Sequence, residues 1–111
     1  VTGDVVCERI YQVQTEAGVQ PLPVRWFRPT PDPRGDWSCV FQIDWPERPR
    51  RTMTISGVDS VQALYLALQT AAVELYTAES SVFLWELDDL LHLPTAGVVA
   101  DLEAARTKGR S

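Results

Sequence analysis

Apolar and polar positions alternate along the first half of the chain, and the alternation changes period near residue 59. From Asp4 to Gln14, Val5, Cys7, Arg9, Tyr11 and Val13 fall on one side and Val6, Glu8, Ile10, Gln12 and Gln14 on the other. Both sides are mixed, but β-branched and aromatic residues dominate, which predicts a strand. Glu16-Ala17-Gly18 supplies a turn, and Val19 to Arg28 resumes an extended pattern, so the two segments read as a hairpin. Pro21 and Pro23 have no N–H to give a ladder, which puts the start of this second strand at an edge or bulge. The stretch 28–36, RPTPDPRGD, reads as a loop. Trp37 to Trp45 then alternates most clearly, with Trp37, Cys39, Phe41, Ile43 and Trp45 on one face and Ser38, Val40, Gln42 and Asp44 on the other. After PERPR, Arg51 to Ser56 alternates again and completes a meander of about four antiparallel strands.

From Asp59 the period becomes about 3.6, with Val61, Leu64, Leu68, Ala71 or Ala72, and Leu75 on one stripe. A helix of around twenty residues follows from this pattern. VFLWEL, residues 82–87, has the length of a strand. Beyond Pro94, TAGVVADLEAARTKG can form a short helix capped by Thr95 and stopped by Gly109. The expected fold is therefore α+β in the order β-β-β-β-α-β: an antiparallel sheet of four to five strands with one solvated face, the other covered by the long helix, and a weak C-terminal helix. Residues 1–94 would form a single domain and 95–111 a terminal helix or flexible tail. The pattern does not place the fifth strand in the sheet.

The junction Gly57-Val58-Asp59-Ser60-Val61-Gln62 has two readings. As chemistry, Asp59 would be an acid or base, but no nucleophile, histidine or metal cluster accompanies it. As architecture, Asp59 is an N-cap accepting from the N–H two or three residues on, Gln62 reaches back to the N-cap N–H, and Gly57 gives the room for a sharp strand-to-helix change. The second reading is favoured.

Composition narrows the function classes. The chain has 111 residues, 45% of them hydrophobic and 23% charged, enough for one core. Its apolar runs fall short of the roughly 20 residues that span a bilayer, and the N-terminal stretch lacks the pattern of a secretory signal, so a cytoplasmic protein without a membrane partner is expected. The formal charge of −5 is unevenly distributed. Residues 1–57 carry seven basic and seven acidic side chains, whereas 58–105 carry eight acids and no lysine or arginine. Such a field repels phosphates, which argues against nucleic acid and for a basic protein partner.

Candidate chemistry is sparse. Cys7 and Cys39 lack metal-ligand spacing and read as two half-buried thiols on strands, with a bridge as the alternative. His92, the only histidine, has no triad motif around it and reads as a surface or partly buried residue. Trp37 and Trp45 read as packing residues at the sheet rim. Arg48, Arg50 and Arg51 form a solvated turn or pair with the acidic half, within one chain or between two copies. Glu79, Glu86, Asp88 and Asp89 form the acidic cluster, read as a solvated loop, a partner-binding patch or a cation site. No phosphate loop or dinucleotide signature is present, so no catalytic residue, cofactor or metal is expected.

Trp37, Cys39, Gly57, Asp59, Gln62, Ala63, Leu64, Trp85, Leu93 and Pro94 together form a pattern: a W-x-C strand, a G-x-D-x-x-Q-A-L helix start, a Trp-containing strand and a terminal L-P. Over residues 8–94 this resembles a family of small bacterial proteins known as a domain of unknown function. The resemblance brings no activity with it. Small acidic proteins of this kind often lie beside secreted-toxin genes, which implies an immunity role by association. The expectation is a non-enzymatic binding protein that occludes a basic toxin through Glu79, Glu86, Asp88 and Asp89. The alternative is a homodimeric structural or regulatory domain that pairs a strand edge or a helix surface.

Overall fold

A computed structural model of the chain describes residues 3–86, 89–95, 97 and 102–106. Six strands and one long helix follow the order β1 (Val5–Thr15), β2 (Gly18–Phe27), β3 (Thr30–Pro31), β4 (Trp37–Ile43), β5 (Arg51–Gly57), α1 (Ser60–Tyr76) and β6 (Val82–Phe83). Residues 102–106 add a helical turn near the C-terminus. The architecture is α+β with an antiparallel sheet.

β1 and β2 form the long hairpin, closed by the two-residue turn Glu16-Ala17 between the paired Thr15 and Gly18. The Thr15 hydroxyl donates to the Gly18 carbonyl (2.7 Å) and accepts from the Ala17 N–H (3.2 Å), while Gly18 takes the positive φ of 106° that the turn needs. β2 pairs with β4 over Val24–Trp26, extended by one bond from the Asp44 N–H to the Pro23 carbonyl (3.0 Å), so the stretch with Pro21 has a one-sided ladder and Pro23 offers this side only its carbonyl. That is where residues without an N–H fit. β4 is central: β5 runs along one edge, and β2 and β3 share the other end to end. Thr30–Pro31 was expected as loop, and its two-residue pairing with β4 is too short to leave a pattern. β6 joins the far edge, pairing Phe83 with Gln12 and Val82 with Val13. The run 82–87 therefore forms a two-residue strand followed by bends at 84–86.

One face of the sheet is buried. Tyr11 and Val13 on β1, Leu22, Val24 and Trp26 on β2, and Cys39, Phe41 and Ile43 on β4 point into the core, in keeping with the alternation of the segment 37–43. Each large side chain so buried contributes about 1.5–3 kcal/mol. The opposite face is solvated and laced by charge: Arg25 bonds Glu8 (3.1 Å) and Asp44 (2.8 Å), and Arg50 also reaches Asp44 (2.6 Å). Burial would raise the Asp44 carboxyl, but hydrogen bonds from Arg50 and Arg25 outweigh it and hold the group below its ordinary value.

The helix buries the expected stripe at its far end, at Ala71, Ala72 and Leu75, but not at its start. Val61 is 75% exposed, and the buried residues are Ala63, Ala67, Ala71, Ala72, Leu75 and Tyr76. Leu64 and Leu68 are half-buried on its flank. Small side chains let α1 lie close over β4 and β5, and the approach is tightest at Gly57. A Cβ there would stand 2.5 Å from the Ala63 nitrogen and 2.8 Å from its Cα. At the helix start, Asp59 Oδ1 accepts from the Gln62 N–H (2.8 Å), and Gln62 Oε1 accepts from the Val58 N–H (2.8 Å), one residue earlier than a standard capping box.

Cys7 is exposed, Cys39 is buried, and both are free thiols. Burial pushes the Cys39 thiol up to about 11, and its Sγ lies 3.3 Å from the Phe27 carbonyl. Burial also raises Cys7, against the lowering effect of Arg9.

Two outcomes follow. Gly57→Ala must push helix backbone away from the strand and should lower stability by about 1–3 kcal/mol in urea denaturation; a neutral result would show that the close approach carries no weight. At pH 8 a thiol reagent should modify one cysteine per folded chain, Cys7, and both after denaturation, because Cys39 remains a buried, protonated thiol until the pH approaches its raised value. Fast modification of both thiols in the folded state would contradict this.

Candidate functional site

α1 covers β4 and β5 and barely reaches β2, so the inner faces of β1 and β2 need another cover. It comes from the irregular stretches 84–86 and 89–95, whose Leu91 and Leu93 belong to the same buried core as Tyr11, Leu75 and Tyr76. Irregular backbone placed against a core must find partners for its N–H and C=O groups. Here a set of side chains from four parts of the chain supplies them.

Asp89 is 4% exposed, and its carboxylate accepts three successive backbone N–H groups: Leu84 (3.0 Å), Trp85 (2.9 Å) and Glu86 (3.2 Å). Its own carbonyl accepts from Arg106 at 2.6 Å. The Leu91 carbonyl accepts from the Tyr11 hydroxyl (2.7 Å) and from Arg9 (3.0 Å), and the Leu91 N–H donates to the Tyr76 hydroxyl (2.9 Å). Arg9 also holds the His92 carbonyl at 2.8 Å. Burial raises both tyrosine hydroxyls above their ordinary value, so each stays protonated: Tyr11 donates to the loop, and Tyr76 donates to Glu103 at 3.2 Å while accepting from Leu91. The guanidinium of Arg106 lies 4.8 Å from the Tyr76 ring centroid. Hydrogen bonds from Arg106 and to Glu103 thus join the helical turn 102–106 to the body of the fold.

The clamped segment displays an aromatic residue. Trp85 is 73% exposed, and its ring lies 5.6 Å from that of His92, tilted by 57°. His92 holds a left-handed backbone, φ 56°, rare outside glycine and stabilised here by the Arg9 contacts on its own and the preceding carbonyl. Trp85, Glu86, Asp89, Leu90 and His92 line a shallow cavity of about 370 Å³.

A second, larger cleft of about 500 Å³ lies between the β4–β5 turn and the end of α1. Arg48 stacks over Trp45 at 4.1 Å, Arg51 pairs with Glu74 at 2.7 Å, and Glu79 stands on the rim. The arginine-rich turn thus divides its roles. Arg51 reaches the acidic half, Arg50 stays with Asp44, and Arg48 packs on an aromatic ring.

The four acids expected as one patch are distributed differently. Glu79 lies on the larger cleft, Glu86 is exposed beside Trp85, and Asp88 lies outside the described residues. Asp89, expected on a solvated loop, is buried because its carboxylate organises the backbone before it. His92 is on the surface, and Trp37 and Trp45 are half-buried against the core. The Thr95 hydroxyl bonds the Glu103 carboxylate (3.2 Å), and Gly109 lies outside the described residues. Among the described residues no three of His, Cys, Asp and Glu come together as metal ligands, and no helix is long and apolar enough to cross a membrane. The clamp residues Arg9, Tyr11, Tyr76 and Arg106 escaped the sequence reading. Arg9 carried one signal, a charge on the face of β1 otherwise formed by Val5, Cys7, Tyr11 and Val13.

The geometry defines an α+β domain in which a half-covered sheet holds a clamped aromatic loop. The chain belongs to the family described as a domain of unknown function, DUF6968, whose model matches residues 7–90 and so spans Arg9, Tyr11, Gly57, Asp59, Trp85 and Asp89. Searches of curated proteins and of solved structures each returned no match.

Asp89→Asn replaces one accepting oxygen with an N–H₂ group facing backbone donors. It should cost about 1–3 kcal/mol and should speed amide exchange at Leu84, Trp85 and Glu86 well beyond the change at β4. Uniform exchange across the chain would deny the carboxylate its local role.

Proposed function

We propose that this protein acts without catalysis, by binding another protein through the Trp85 loop. The observation that carries the reading is the pairing of a mostly exposed tryptophan with a backbone held by Asp89, Arg9, Tyr11, Tyr76 and Arg106. A large exposed aromatic on a fixed scaffold suits an interface anchor, because little conformational freedom is lost when the partner docks. Glu86 beside it gives an acidic rim, and Glu79 belongs to the same arginine- and lysine-free stretch 58–105. That field favours a basic partner and would speed its encounter. A toxin neutralised by occlusion in the cytoplasm, as an immunity protein would do, is the partner type this reading favours.

Affinity capture from source cells with wild-type and Trp85→Ala baits tests the proposal. The bait variant loses an exposed side chain, so its stability should change by no more than about 0.5 kcal/mol. A partner retained by wild type should bind the variant with at least about 2 kcal/mol less free energy, close to thirtyfold. Its association rate with wild type should fall as salt rises. Equal retention by both baits would refute the loop as the binding surface.

A further inference from the structure

We propose that a second copy of this chain pairs with the free edge of β5, strand to strand and antiparallel, about a two-fold axis through Thr54. Among the described residues β5 pairs only with β4, and that pairing runs in unbroken register from Arg51 to Gly57. Among the described residues its other edge therefore presents an unbulged row of backbone donors and acceptors.

Proteins guard such edges with prolines, charges, bulges or very short strands, and the rest of this sheet does so. β6 is two residues long, and its Val82 carbonyl is taken by Arg106. β1 carries Glu8 and Arg9 and has a register shift between Val5 and Cys7. The exposed half of β2 holds Pro21 and Pro23, and β3 is a two-residue segment ending in Pro31. β5 has none of these devices: no proline, no bulge, and no charge after Arg51.

The occupant is argued from self-complementarity. With Thr54 on the axis, Thr54 faces Thr54 of the other copy, Thr52 faces Ser56, Met53 faces Ile55, and Arg51 faces Gly57. Hydroxyl residues meet on the solvated face and apolar residues on the helix face. Cross-strand Thr–Thr, Thr–Ser and aliphatic pairs are favourable, and no like charges are opposed. Met53 and Ile55 are only half-buried within one copy, so they have surface left to cover.

A strand edge alone falls short of the about 1,200–2,000 Å² of a stable interface. The adjacent flank of α1 supplies more. Glu74 reaches Arg51 and so marks the side of the helix toward β5. Leu66, Thr70 and Val73, neighbours on that flank by helical spacing, are uncharged and half-buried. The Thr70 hydroxyl is turned back onto the Leu66 carbonyl at 2.7 Å, which leaves a largely apolar surface. Two such flanks would meet above a continuous sheet.

Sedimentation of the purified chain from roughly 1 to 200 μM, the range in which a micromolar interface assembles, should show a species of twice the 12.4 kDa chain mass. A monomer throughout would overturn the proposal. Thr54→Lys sets two charges on the axis from an exposed position, and should weaken the dimer at least tenfold; an unchanged dimer would overturn it. Register is tested separately in a Cys7→Ser background. Thr54→Cys should crosslink to itself on mild oxidation. Thr52→Cys should not, since two copies of that position would stand roughly 14 Å apart, too far for a disulfide. The reverse pattern, or no crosslink at either position, would reject the two-fold through Thr54. These outcomes are independent of the Trp85 reading, which concerns the opposite edge of the sheet.

Discussion

The close seating of α1 on the end of β5 is the constraint from which the rest of the structure follows. Gly57 leaves no atom between the strand and the Ala63 backbone, and Ala67 and Ala71 continue the small surface along the helix. A helix bearing leucines on this stripe would stand further off and would spread over more of the sheet. With alanines it lies low over β4 and β5, and the indole N–H of Trp26 on β2 reaches the Ala67 carbonyl at 3.3 Å. One helix cannot then cover the inner face of β1 and β2. That half of the core is completed by Leu91 and Leu93 from a segment that is neither helix nor strand.

Covering a core with irregular chain raises a hydrogen-bonding problem that regular structure solves by itself. The solution here is side-chain chemistry drawn from both ends of the sequence: Arg9 and Tyr11 from the first strand, Tyr76 from the end of the helix, Arg106 from near the C-terminus, and Asp89 from the segment itself. Among the described residues no buried side-chain nitrogen or oxygen is left without a partner. The polar groups that make the loop possible also fix where Trp85 stands. Structural need and display of an exposed aromatic therefore share one set of bonds.

Much of the fold was legible because it rests on periodicity. The period-two run at 37–43 and the change of period at Asp59 both report burial on one face, and the structure places them accordingly. The helix stripe was read correctly at its far end, where Ala71, Ala72 and Leu75 are buried, and misread at its start, because pattern reading weights large apolar residues whereas the close approach at Gly57 selects small ones; Val61 and Leu64 were assigned a face that Ala63 and Ala67 occupy. β3 was hidden for another reason: two residues in a ladder cannot establish a period. β6 was expected from the apolar run 82–87, but that run did not show that the strand is only two residues long or that it pairs with β1. The loop clamp was the least legible part. Arg9 bonds a carbonyl 83 positions away in sequence, and no local pattern records such a pairing. Asp89 shows the same limit from the other side. In sequence it is one of four acids read as a cluster, but in the fold its carboxylate accepts from backbone N–H groups.

Strand order gives the two proposed surfaces a definite relation. β6 and the loop after it lie beyond β1, while β5 closes the opposite edge beyond β4. Pairing through β5 would thus leave both Trp85 loops uncovered and place them at the outer ends of a continuous sheet. At about 4.8 Å per strand, ten strands from β6 of one copy to β6 of the other separate the loops by roughly 40 Å. A dimer of that span could engage two copies of a partner at once. If the partner itself carries two sites at a matching distance, the second contact becomes intramolecular and avidity can exceed either single affinity by roughly 10² or more. The same separation prevents two loops of one dimer from closing on a single small partner, so binding would be one partner per loop. An edge strand left without protection would, on this account, be retained because its pairing adds a second binding loop at a fixed distance.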